Sequence, residues 1–264
     1  MDYASKNIYN FREYISRYHH SVACALLTYK YTNEKASTLA ALFHDVGTPC
    51  FSHVIDFMNS DYEDQESTEQ YHERTILKDS YLLSCLNADN INVDDIINFK
   101  KFSIVDNKRP KLCIDRLDGI ILSDIGWSKL LDKQEIKNTI NDITIFQNEE
   151  NELELGFKTL SICKRILEVN KYLNELCHSN EDKYMMDFLA QITKKAIEKG
   201  IITYEELFFS TEIKLYNKIK NADLKFKLAL EDFENIDVKD IPKIEIPRLK
   251  IRTINPLING KRVF

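Results

Sequence analysis

The sequence predicts a mainly α fold with one small β-hairpin and an extended C-terminal tail. Three observations carry this. Glycine and proline are scarce, 6 and 5 in 264 residues, so long segments run without turn signals. Apolar residues recur at helical spacing over most of the chain. Residues 144–157 and those after 236 leave that period and alternate apolar with polar instead.

Residues 7–31 read as a helix, with Val22, Ala25, Leu26 and Tyr29 at helical spacing. Asn33 can cap the next helix. That helix carries Ala36, Leu39, Leu42 and Phe43 on one face and ends near Gly47. Pro49 can begin another, running through Phe51, Val54, Ile55 and Phe57. Residues 60–67 are polar and acidic, as a loop is. Helices are expected over 68–87, 92–101 and 110–131. Ile143, Ile145 and Phe146 lead into the polar turn Asn148 to Asn151, and Leu153, Leu155 and Phe157 alternate beyond it, a hairpin pattern. Helical periodicity returns from 158 to about 234, with Gly200 as a break.

Pro242, Pro247 and Pro256 forbid a long helix at the end. Ile244, Ile246, Leu249 and Ile251 suit short extended pieces. Arg248, Lys250 and Arg252 share one parity. They form either a solvated edge protected by charge or a strip that faces phosphate or a partner. The patterning thus divides the chain into a helical core over 1–143, a hairpin with a helical extension packed on it over 144–235, and a tail over 236–264.

Hydrophobic residues make up 44% and charged residues 30%, the profile of a soluble globular protein with a full core. Six cysteines are scattered with no CxxC pair. They read as reduced core residues of a cytoplasmic protein. No apolar run approaches the roughly 20 residues a membrane span requires, and no targeting peptide is evident. A net charge of -6 argues against strong nucleic-acid binding. It leaves room for a small phosphorylated substrate, because a metal can neutralise phosphate locally. A homo-oligomer is left open.

Five of the six histidines lie between positions 19 and 72. His44 and Asp45 end an apolar helix, where an aspartate is costly unless paired or ligated. There the chain leaves regular geometry, and both side chains can turn to one cation. His20 lies one helix earlier, and Asp115 sits in the later segment 112–118. Two imidazoles and two carboxylates form a mixed set that suits manganese, iron, zinc, cobalt or magnesium. No HExxH motif is present.

This pattern resembles the HD superfamily, whose signature is an isolated His, a His-Asp doublet and a later Asp. The match is greatest to its deoxynucleoside triphosphate triphosphohydrolase branch. Arg17, Tyr18, His19, His20 and Ser21 fit an R-aromatic-x-H-S pattern and make His20 the first ligand. Residues 44–53, ending in Phe51, Ser52 and His53, with Asp56 after them, follow the branch's HDxGHxPFSHxxD string. His72 and Glu73 match a His-Glu pair, and Asp115 matches the last ligand. The likeness covers roughly residues 8–126.

The resemblance implies an HD-domain helical bundle and a metal-dependent phosphohydrolase. One divalent ion would be held by His20, His44, Asp45 and Asp115, and the substrate would be a nucleotide. His53 would protonate the leaving oxygen, with Asp56 setting its tautomer. His72 would contact phosphate, with Glu73 beside it as proton acceptor. Arg17 would clamp phosphate oxygens. Asp118, one turn after Asp115, would orient a ligand or a sugar hydroxyl.

Each has a plainer reading. His53 can simply pack at a helix start, Arg17 can form a surface salt bridge, and the remainder can be solvated helix charges. Thr48 stands where the family has a histidine, and Gly119 where it has a tyrosine. The chain also starts close to His20, so the family's N-terminal substrate-binding elements are expected to be largely missing. These departures leave two alternatives: a nucleotide phosphomonoesterase, or a module that binds a nucleotide without turnover.

Overall fold

A computed structural model describes residues 3–11, 13–67 and 71–262. Among them run 13 α-helices and a four-stranded sheet. The helices are α1 (Arg17–Thr32), α2 (Lys35–Phe43), α3 (Val54–Met58), α4 (Tyr71–Lys78), α5 (Ser80–Ala88), α6 (Val93–Ile97), α7 (Ile114–Ser123) and α8 (Lys133–Asp142). Strands β1 (Ile143–Gln147) and β2 (Leu153–Phe157) follow. Then come α9 (Leu160–Cys177), α10 (Asn180–Glu198), α11 (Glu206–Phe209), α12 (Glu212–Lys220) and α13 (Leu224–Asn235). Strands β3 (Leu257–Ile258) and β4 (Lys261–Arg262) complete the sheet. The fold is mainly α, as the periodicity predicts.

Capping moves several boundaries. The first helix starts at Arg17, not at 7, because Ser16 and His19 form a capping box. Asn33 ends that helix in the left-handed region (φ 53°) instead of opening the next, whose N-cap is Glu34. Residues 49–53 form a turn rather than a helical start, and Phe51 and Ser52 both have positive φ (64° and 49°). The helix expected over 68–87 is broken at Asp79, whose side chain accepts the Leu82 N–H; its residues 68–70 lie outside the described ones. The segment 110–131 is helical only from Ile114 and closes in a π turn over Asp124–Ser128. There Asp124 accepts the N–H groups of Leu130 and Leu131. The run from 158 to 234 divides into five helices, and Gly200 (φ 68°) follows α10 as the expected break.

By contacts the chain divides into two units, neither continuous in sequence. The first comprises Met1–Phe11, Gly47–Arg74 and Glu175–Ile251. In it α10 packs on α3 and α13, and α13 on α12. Its core includes Ile55, Met185, Leu215, Leu230 and Phe233. Gly47 is required here, since a Cβ would stand 2.6 Å from the backbone of His72. The described residues of 241–251 form no strand. They run as coil, with Ile244 donating its N–H to the Asn180 side chain.

The second unit comprises Arg12–Val46, Thr75–Asn174 and Arg252–Phe264. Helix α1 packs on α2 and α7, and α2 on α6. Ala40 and Ala41 on α2 are fully buried, and their small side chains let helices approach closely. The sheet runs β1-β2-β3-β4: the predicted hairpin is antiparallel, β3 joins β2 in parallel, and β4 returns antiparallel. At Gly156 a Cβ would lie 2.7 Å from the Leu257 carbonyl, so only glycine admits β3.

Glu154 on β2 is 0% exposed, and Arg262 Nη2 pairs with it at 2.8 Å. Asn148 Nδ2 and the Leu112 N–H donate to the same carboxylate. Removing one partner of a buried pair strands the other charge. Arg262→Ala is therefore expected to lower stability by about 3 kcal/mol, read as a lower urea midpoint with the slope unchanged.

Candidate metal centre

Three helices deliver the predicted ligands to one place in the second unit. Ser16 caps α1, and His20 sits in its first turn. His44 is the C-cap of α2 and keeps helical backbone angles. Asp45 follows in the turn that leaves the helix. Asp115 lies in the first turn of α7 and Asp118 one turn on. Because α1 packs against both α2 and α7, the side chains converge.

His20 Nε2 is 3.1 Å from Asp115 Oδ1 and 3.9 Å from Asp45 Oδ2. His44 Nε2 is 3.5 Å from Asp115 Oδ1 and 3.9 Å from Asp45 Oδ1. Donors sharing one ion at bonds of about 2.1 Å stand about 3.0–3.5 Å apart, from right-angled to tetrahedral arrangements. These separations are close to that range. The His44 Nδ1–H donates to the Ala41 carbonyl at 2.8 Å. A carbonyl can only accept, so in the neutral ring the proton sits on Nδ1 and Nε2 keeps its lone pair. That nitrogen is buried and has no hydrogen-bond partner. A buried acceptor left unsatisfied is costly, and a cation between the carboxylates would satisfy it. His20 follows the same plan, with Nδ1 2.7 Å from Asp118 Oδ2 and Nε2 turned to Asp115. The residues fit a divalent ion.

The electrostatics agree. Burial works against a charged His20, but the Asp115 and Asp118 carboxylates outweigh it and hold its pKa above the usual value. His44 is shifted the same way, burial being outweighed by Asp115 and Asp45. Burial also works against ionised Asp115, yet the two histidines keep its pKa well below the carboxylate range. Without an ion, protons on the imidazoles balance the carboxylates. An ion must displace them, so its binding weakens as pH falls. The Asp45 and Asp115 side chains are 28% and 39% exposed, which leaves the centre open to solvent.

Asp118 is 3% exposed and engages His20, the geometry of a group that orients a ligand. Asp118→Ala is expected to weaken metal binding about 10–100-fold, measured by titration with a chelating indicator. Asp118→Asn should lose less, since its amide oxygen can still accept from Nδ1.

Arg17 Nη1 is 2.6 Å from Asp45 Oδ2, which puts its charge at the edge of the centre. The other candidates lie in the first unit. His53 Nδ1 is 2.9 Å from Asp56 Oδ2, and Ser67 Oγ donates to the second Asp56 oxygen at 2.8 Å. Asp56 is 2% exposed, while the His53 side chain is half exposed. His72 is buried and Glu73 exposed at the start of α4, so these neighbours face different ways. Cys24, read from the sequence as a reduced core cysteine, is buried one turn after His20.

Residues 17–120 match the HD domain family. The chain is 22% identical over 253 residues to the uncharacterized protein YdhJ of Bacillus subtilis, covering 92% of this chain and 74% of that protein. It is 23% identical over 260 residues to the metal-dependent phosphohydrolase cns2 of Cordyceps militaris, covering 92% and 70%. The match to the HD domain family over 17–120, the stretch that contains all four converging side chains, and this likeness support a metal-dependent hydrolase. No helix among the described residues is long and apolar enough to cross a membrane.

Proposed function

We propose that the protein hydrolyses a nucleotide, and specifically a deoxynucleoside triphosphate, using one divalent ion held by His20, His44, Asp45 and Asp115. The placing of Asp45 and Asp115 beside the unsatisfied His44 Nε2, with His20 Nε2 on the same Asp115 oxygen, carries the reading. A bound divalent ion supplies Lewis acidity, polarising a phosphoryl oxygen and lowering the pKa of water. The chain's own groups do the rest. Asp118 and the Ala41 carbonyl fix the two imidazoles. Arg17, tied to Asp45 through Nη1, brings a guanidinium charge to phosphate oxygens. His53 gives a proton to the leaving oxygen, with Asp56 holding its Nδ1–H. His72 contacts phosphate and Glu73 accepts a proton.

The triphosphate preference rests on the string from His44 through His53 and Asp56 and on Arg17 beside the first ligand. A triphosphate carries more charge than one ion offsets, so further cationic donors are needed. The runner-up is a nucleotide phosphomonoesterase. It is favoured by Gly119, where a Cβ would meet nothing within 4 Å, so the space a sugar-packing ring would fill is open.

The manganese-loaded protein is incubated with deoxynucleoside triphosphates and monophosphates, and the products are separated. Inorganic triphosphate plus nucleoside supports water attack at the α-phosphorus. Orthophosphate released only from monophosphates replaces the reading with the runner-up. Metal-loaded protein that binds nucleotide without any product is a binding module.

A further inference from the structure

The metal centre has another donor beside it. Cys24 follows His20 by one helical turn on α1 and is 1% exposed. Its Sγ lies 3.7 Å from Nδ1 and 3.8 Å from Nε2 of His20. The donor atoms of His20, Cys24 and His44 all fall within 4.8 Å of one another. A second observation points to a ligand there. The His44 side chain is 5% exposed, and its buried Nε2 has no hydrogen-bond partner. Zinc–nitrogen and zinc–sulfur bonds of about 2.1 and 2.3 Å set the two donors about 3.8 Å apart at the roughly 120° equatorial angle of a five-coordinate ion. The separation from His20 Nε2 is close to that.

We propose that Cys24 is a further ligand of this centre, and that its thiolate makes the site prefer zinc, cobalt or iron(II) over magnesium and manganese. This rests on the reading of His20, His44, Asp45 and Asp115 as a metal centre. Thiolate sulfur is a soft ligand that selects such ions, whereas carboxylates alone suit magnesium and manganese. Ligation forms a metal–sulfur bond as the thiol proton passes to water, and no oxidant or reductant is needed. The other thiol near a ligand is Cys113, which groups with Asp106 and Asp115. Its sulfur already accepts an Arg116 guanidinium N–H at 3.2 Å, so a cation already sits beside it.

The test uses the full chain reconstituted with cobalt(II). Cobalt per chain is measured by elemental analysis, and near-ultraviolet absorption is scanned for thiolate-to-cobalt charge transfer. The wild type and Cys113→Ser are expected to bind about one cobalt and to show the band. Cys24→Ser is expected to bind cobalt without the band, and its preference for zinc over manganese should fall about tenfold or more. Cobalt bound by the wild type without a charge-transfer band overturns the thiolate ligand and leaves the four-residue centre standing. A band that survives in Cys24→Ser or disappears in Cys113→Ser also overturns it. A wild type that binds no cobalt, zinc or manganese sinks the metal centre itself. If Cys24→Ser does not fold, the wild-type and Cys113→Ser spectra still decide.

Discussion

An Asp45→Ala chain is expected to lose its metal and its turnover together. Asp45 faces both imidazoles, 3.9 Å from His20 Nε2 and 3.9 Å from His44 Nε2. It also neutralises Arg17 at 2.6 Å. Truncation removes a donor and leaves a guanidinium beside the place a cation would occupy. The local charge then opposes metal binding, beyond the loss of one bond. Lewis-acid stabilisation is worth several kcal/mol, and about 4 kcal/mol is about 10³-fold in rate. kcat/KM should therefore fall by at least about that factor, with elemental analysis showing almost no metal and circular dichroism showing an intact helical spectrum. Full metal occupancy in this variant would sink the ligand assignment.

His53→Ala is expected to separate chemistry from metal binding. The ring is fixed by Asp56 through Nδ1, and Asp56 in turn is held by Ser67 and is nearly inaccessible to solvent. An imidazole oriented in this way fits proton donation from its other nitrogen. Losing a positioned general acid costs about 10²–10⁴-fold in rate. The loss should appear in kcat, with KM and metal content little changed. Unchanged kcat would reduce His53 to a packing residue, the plainer reading of its place at the start of α3.

The legible parts were those that local chemistry writes into neighbouring residues. The doublet His44-Asp45 at the end of an apolar helix marks a costly charge that needs a partner, and the structure surrounds it with His20, Asp115 and Arg17. The hairpin was visible because Leu153, Leu155 and Phe157 alternate over enough residues to set a period. Strands β3 and β4 are two residues each, too short to carry a period, and they exist only because Gly156 lets Leu257 approach. The start of α1 was overrun because apolar spacing says nothing about where a cap wins. Ser16 and His19 decide that through two hydrogen bonds. Cys24 was legible as a core cysteine, and it is buried; its closeness to His20 follows from helix geometry one turn on.

The parallel pairing of β2 with β3 has a consequence for synthesis. Glu154 and Arg262 are 108 positions apart, and the second unit draws on segments from Arg12 to Phe264. Until β3 and β4 have been made, β2 has no parallel neighbour and the Glu154 carboxylate lacks Arg262. The sheet of the unit that gathers His20, His44, Asp45 and Asp115 can therefore be completed only after translation has passed residue 262. Contacts of such sequence separation form slowly. Nascent chains stalled just before Leu257 should accordingly be far more sensitive to protease over 143–157 than released protein.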